Sequence, residues 1–246
     1  MSDQQPRQWG GAVAQPASDV INEGERAFML RVFNWMALAV AFTGAVSLFV
    51  ASVPVLLAFA QGAGIIGFFA IIGLGLFAPR IIATKSLNAA QITFWAYAGL
   101  WGFFIAPIIN LYLQVDPGLL VRAFFITSAT FAGVSLYGYT TKRNLTRVGT
   151  FAVMMILGVL VAAVVNLFVG NQMLDLLISV AVVGLFSAVT AWEVQSLRQS
   201  YYDSPGTGEA GEVVIARKSI LGALQLYGSF VVLFVHILNI LGHMRR

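Results

Sequence analysis

Long uncharged stretches dominate the chain: 32–79, 86–115, 123–141, 148–174, 176–192 and 219–244, separated by short polar segments. A helix needs about 20 apolar residues to cross a bilayer core, so the first stretch is long enough for two. Pro54 and the Gln61-Gly62 pair mark the break between them. The pattern therefore predicts seven spans, at 32–51, 63–78, 89–113, 119–139, 150–169, 174–194 and 219–241. Barrel strands would alternate apolar and polar residues over about ten positions. These runs are apolar on every side, so the expected fold is an all-α membrane protein.

The polar remainder is small. Residues 1–26 mix Gln, Pro, Gly, Ser and both charges, and contain no apolar signal-peptide core. They are expected to form a flexible cytoplasmic arm ahead of a seven-helix transmembrane domain at 27–246. The longest internal polar segment, 195–218, includes Asp-Ser-Pro-Gly-Thr-Gly at 203–208 and reads as a mobile loop. Neither segment can hold a separate chemistry-bearing domain, so function must reside in the bundle or on its surfaces. Small-residue pairs such as Ala129/Gly133 and Gly99/Gly102 are expected at helix contacts.

Composition agrees with a bilayer as solvent: 59% of residues are hydrophobic and only 10% are charged. With the N-terminus in the cytoplasm, eleven of the fourteen Lys and Arg fall on cytoplasmic segments, as the positive-inside rule requires. The outer side keeps Arg122, Arg245 and Arg246. The terminal pair leaves open whether the last segment crosses completely. The net charge of +4 therefore reflects topology and contact with anionic lipid, and no nucleic-acid partner is expected. The chain has no Cys, which removes disulfides, thiolate chemistry and Cys-based metal sites.

Glu193 is the carboxylate set furthest inside an apolar run, in Thr190-Ala-Trp-Glu-Val-Gln195. Ionisable groups at such positions are costly and usually face protein or water-filled cavities. Three readings stand: a pathway or gate residue, a structural ion pair with Arg80 or another cation, and a carboxylate reaching interfacial water. Arg80, after Pro79 at the end of the second span, is either an interface anchor or the tether of that pair. Gln225, Ser229, His236 and Asn239 follow steps of four, seven and three in the last span and share one helical face. They either bond neighbouring helices or line a hydrated route, with Thr190 placed to orient Glu193.

Enzyme chemistry is not expected. His236 and His243 are the only histidines, no HExxH occurs, and Gly133-Val-Ser-Leu136 falls short of a serine-protease loop. No deep lysine is available for a Schiff base, no cofactor is implied, and the residues assign no metal site.

Several segments are similar to a known family. SLYGYTTKRNLT at 135–146, with FFITSATFAG at 124–133 before it and GTFAVMMILGVLVAAVVNLF at 149–168 after it, resembles the signature of the Bax inhibitor-1 family, in its bacterial inner-membrane branch. TAWEVQ at 190–195 and GALQLYGSFVVLF at 222–234 resemble the motifs of its last two helices. The resemblance implies a seven-transmembrane-helix bundle whose last helix is enclosed by the other six. It also implies a pH-sensitive calcium leak, closed by two aspartates that share a proton beside an arginine. Glu193 matches the first aspartate, Ser229 the second and Arg80 the arginine. Serine removes the second charge, so the shared proton has no place here, and a lone carboxylate attracts calcium less strongly than several oxygen ligands do. The same resemblance carries a competing expectation, a non-transporting protein that modulates a membrane quality-control protease or a stress response.

Overall fold

A computed structural model describes residues 17–202 and 209–245. They form eight helices: α1 (Ala17–Ser52), α2 (Pro54–Gly62), α3 (Gly64–Thr84), α4 (Leu87–Val115), α5 (Pro117–Thr140), α6 (Thr146–Val169), α7 (Gln172–Tyr202) and α8 (Glu209–Met244). No strand occurs among the described residues. Seven helices are long and apolar enough to cross a membrane, and they cover the seven expected spans to within one residue. The protein is a multi-pass membrane protein.

The breaks follow local chemistry. Pro54 starts α2 at a position where its missing N–H costs nothing, so the break between the first two spans is itself a short helix. Asp116 caps α5, accepting from the Gly118 amide at 2.9 Å, with Pro117 next in line. Gly170 ends α6 with φ 66°, a left-handed conformation that favours glycine. Asn171 then accepts from the amides of Met173 and Leu174 at the start of α7.

Two sequence expectations change. The helix α1 begins at Ala17, so residues 17–26 are helical, with Glu25 buried, and residues 1–16 lie outside the described residues. Likewise α7 continues to Tyr202 and α8 starts at Glu209. Most of the supposed 195–218 loop is thus helical, while 203–208 lie outside the described residues. Both extensions pack on neighbouring helices: Glu25 and Leu197 are buried, and Tyr201 and Ile215 pack against the main core.

The last helix is central. It packs against α1, α3, α4, α5 and α7, whereas α6 packs on α7 alone and stands outside this ring. Five spans therefore surround α8 directly. Tyr227 sits at its heart, edge-on to Phe94 and Tyr97. Its hydroxyl lies 2.6 Å from Thr43 Oγ1, which itself donates to the Ala98 carbonyl at 3.0 Å. Tyr227 is therefore the donor to Thr43, and both buried hydroxyls are satisfied, as a membrane interior demands. At one end Lys218 donates to the Ser200 carbonyl at 2.8 Å. At the other, Arg245 pairs with Asp116 at 2.8 Å in the α4–α5 turn. The last helix consequently runs the full height of the bundle, despite its terminal arginines.

Close approaches occur at Gly102, where an added Cβ would meet the Thr43 carbonyl at 2.8 Å, and at Gly138, where it would meet the Ala191 carbonyl at 2.2 Å. The Ala129/Gly133 pair does not behave as expected. Both residues are exposed, and an added side-chain carbon on Gly133 would meet nothing within 4 Å.

Candidate functional site

The central contact is between α7 and α8. The Ser229 hydroxyl donates to Glu193 Oε2 at 2.8 Å. Ser229 is 3% exposed, and Glu193 is half-buried. No cation of the described residues lies within ion-pair distance of this carboxylate. The two residues matched to the family's acidic pair are therefore neighbours in space. The contact holds one negative charge and one hydroxyl.

The other residues expected around Glu193 are elsewhere. Arg80 is exposed and makes no ion pair with it, because α3 packs on α2, α4 and α8 and never reaches α7. The tether from Arg80 is not formed. Thr190 is fully buried, but its hydroxyl donates to the Phe186 carbonyl at 2.7 Å, the back-bond available to a helical threonine. Its proton is not directed at Glu193. Gln225 is exposed. Helical spacing put it on the face of Ser229, but one turn is enough to carry it out of the contact.

His236 and Asn239 belong to a second polar group, near the end of the bundle where α6 passes to α7. His236 Nδ1 lies 3.0 Å from Ser179 Oγ. Asn239 donates to Asp175 Oδ2 at 2.9 Å, and His243 Nε2 lies 3.8 Å from the same oxygen. Asn239 Oδ1 is buried without a partner. A cavity of about 360 Å³ opens here, lined by Tyr112, Asn166, Asp175, Asn239 and His243 among others. His236 lies seven positions beyond Ser229, about 10 Å of helix rise. The stretch between them on α8, Phe230 to Val235, is wholly apolar. The polar stripe of α8 is thus two groups separated by an apolar stretch of the helix.

A third cluster escaped sequence reasoning. Glu25, 2% exposed, accepts from Arg198 Nε at 2.7 Å and from the Tyr202 hydroxyl. Arg198 also donates to the Tyr139 carbonyl at 3.0 Å and lies over the Tyr139 ring. Gln195 accepts from the Leu145 amide and donates to the Arg143 carbonyl, both at 2.8 Å. One end of α7 thereby grips α1, α5 and the α5–α6 connection. Glu25 read as the tail of a polar arm and Arg198 as a topology charge. The available signal was Gln195, the last residue of the Thr190-to-Gln195 motif, which serves no pathway but bonds the other motif of the chain.

Among the described residues, no group of three or more His, Asp or Glu could hold a metal ion. Glu193 and Ser229 supply too few oxygens for a resident hard cation, which takes six to eight. A transient cation contact is what one carboxylate supports.

Comparisons with known proteins follow the same outline. The family described as inhibitor of apoptosis-promoting Bax1 matches residues 25–246. An uncharacterized protein of Rickettsia prowazekii is 36% identical over 226 residues, covering 91% of this chain and 92% of its own. A protein of Caulobacter vibrioides is 31% identical over 244 residues, 95% of each chain. Inner membrane protein YbhL of Escherichia coli is 29% identical over 238 residues, 94% of this chain and 98% of its own. The matched region begins at the buried Glu25 and takes in all seven spans.

Proposed function

We propose, from the premise that the chain belongs to the Bax inhibitor-1 family, that it is a cation leak of the bacterial inner membrane, passing calcium among other ions and gated by one carboxylate, Glu193. The inner-membrane assignment draws on the name of the Escherichia coli relative, and a cytoplasmic N-terminus on the distribution of Lys and Arg.

One observation carries the reading: Ser229 of the enclosed helix α8 is bonded to Glu193, a carboxylate without a cationic partner. Enclosure supplies a route shielded from lipid, and the unpaired charge supplies attraction for a cation in a medium where it is weakly screened. The apolar layer between Ser229 and His236 must hydrate for ions to pass, so opening requires α7 and α8 to move relative to one another. Protonation removes the only charge at the contact. Flux is accordingly expected to rise as pH is raised and Glu193 ionises. His236 and Asn239 would act at the far end of the route, Arg80 only as an interface cation.

The alternative, modulation of a membrane protease, would draw on the N-terminal segment and the α7–α8 connection. Residues 17–26 and 195–202 are instead helical and joined to one another through Glu25 and Arg198, which leaves that reading less surface than the sequence suggests.

The test uses liposomes containing a calcium dye. Wild type should leak faster as pH rises, and Glu193→Gln should be slow and insensitive to pH. Equal flux from both proteins, or none from either, overturns the proposal.

A further inference from the structure

Residues 141–145 connect α5 to α6, yet these two helices do not pack on one another; each packs on α7. Their close approaches to α7 use consecutive residues. Gly138 of α5 lies against the Ala191 backbone and Gly149 of α6 against the Trp192 ring, each so near that an added Cβ would come within 2.2 Å. Ala191 and Trp192 thus hold the two helices apart. Two helices seated on consecutive residues of α7 without touching one another leave a groove between them, floored by α7.

The end of this groove closed by the connection is basic. Lys142, Arg143 and Arg147 are exposed, and none of their side chains has an ion-pair or hydrogen-bond partner among the described residues. Beside them lies a cavity of about 210 Å³, lined in part by Thr141, Lys142, Arg143, Asn144, Arg198 and Tyr202. The carboxylate that reaches this lining, Glu25, already meets the charge of Arg198. α6 also starts here with an N-cap, Leu145, that offers no side-chain acceptor. The amides of Arg147 and Val148 have no acceptor among the described residues, so the positive end of the helix adds to the field.

Positive loops are common topology signals. What sets this one apart is its junction with an apolar groove. A soluble anion would use only the cations, and a partner helix would need only the groove. A molecule with an anionic head and hydrocarbon tails uses both. We propose that residues 141–147 and the α5–α6 groove form a binding site for one anionic phospholipid, with its phosphate held by Lys142, Arg143, Arg147 and the free α6 amides and an acyl chain in the groove. Gln195 bonds the same connection two residues beyond Glu193, so occupancy bears on the part of α7 that carries the carboxylate. The site itself does not depend on ion flux, and a failed leak assay would leave it standing.

Native mass spectrometry of the full chain in mild detergent, titrated with phosphatidylglycerol or phosphatidylcholine, tests the site. One phosphatidylglycerol should be retained about tenfold more tightly than phosphatidylcholine, as expected for one or two charge-assisted hydrogen bonds. The triple variant Lys142→Ala/Arg143→Ala/Arg147→Ala should lose that preference. Arg80→Ala/Lys85→Ala, which removes cations from a different connection, should keep it. Equal retention of the two lipids, an unchanged triple variant or an equal loss in the control pair overturns the proposal. Full displacement by inorganic phosphate does so as well, since it marks a free-anion site. Should the triple variant misfold, a photoactivatable phosphatidylglycerol on wild type decides: label within 136–160 supports the site, and label elsewhere overturns it.

Discussion

α6 and α8 invert the rule learned from soluble proteins. α6 is the most apolar of the seven spans and the least buried, with 6% of its most apolar window inside the protein, against 61% for α8. Lipid solvates an apolar helix as well as protein does, so hydrophobicity gives α6 no reason to be enclosed. α8 carries Ser229, His236 and Asn239, each with a hydrogen-bond partner on α7 that it would not find in hydrocarbon. The helix that looks less suited to a membrane is the one the fold encloses.

The largest expected difference between the two comes from aromatic truncation. Tyr227→Ala removes a fully buried ring and the bond to Thr43, and should cost about 3–5 kcal/mol. Phe151→Ala on α6, 62% exposed, should cost about 0.5 kcal/mol or less. Unfolding in detergent micelles measures both, and similar losses would mean that α6 is packed against something.

A smaller contrast lies in glycine. Gly138→Ala drives a carbon into the Ala191 backbone and should destabilise by about 1–3 kcal/mol. Gly158→Ala on α6 meets nothing within 4 Å and should be neutral, or stabilising by up to about 1 kcal/mol through helix propensity. A neutral Gly138→Ala would show that α5 and α7 are not held at this contact.

A small effect on stability is also expected at the candidate gate. Ser229→Ala removes one interhelical hydrogen bond, worth about 0.6 kcal/mol in a membrane, and leaves the Glu193 carboxyl without its donor. The variant should fold like wild type and leak calcium with a changed pH response. Unchanged flux at every pH would detach Ser229 from gating.

Much of the fold is legible in the chain because span length and bilayer thickness are matched, and Pro54, Pro117 and Gly170 punctuate the helices. The ends of α1, α7 and α8 are not. Polar residues at 17–26 and 195–202 look like loop until tertiary contacts bury Glu25 and Leu197. Of the site, resemblance put Glu193 and Ser229 at paired positions, but it gave Glu193 no partner there, and the hydrogen bond between them came only from the structure. Of the two readings of Arg80, the tether to Glu193 fails because α3 packs on α8 and has no contact with α7.

The sequence by itself determined that this chain is a set of seven membrane-crossing helices, since uncharged runs of that length can satisfy their backbone in lipid only by coiling. It also marked which residues would be expensive to leave in hydrocarbon. Only the tertiary structure decided how those residues meet: Glu193 with Ser229, Glu25 with Arg198, His236 with Ser179, and Arg80 with none of them. Helical periodicity assigns a side chain to a face of its own helix, but a partner also depends on the rotation and depth of the neighbouring helix. Contacts such as Gly138 on Ala191 and Gly149 on Trp192 set those.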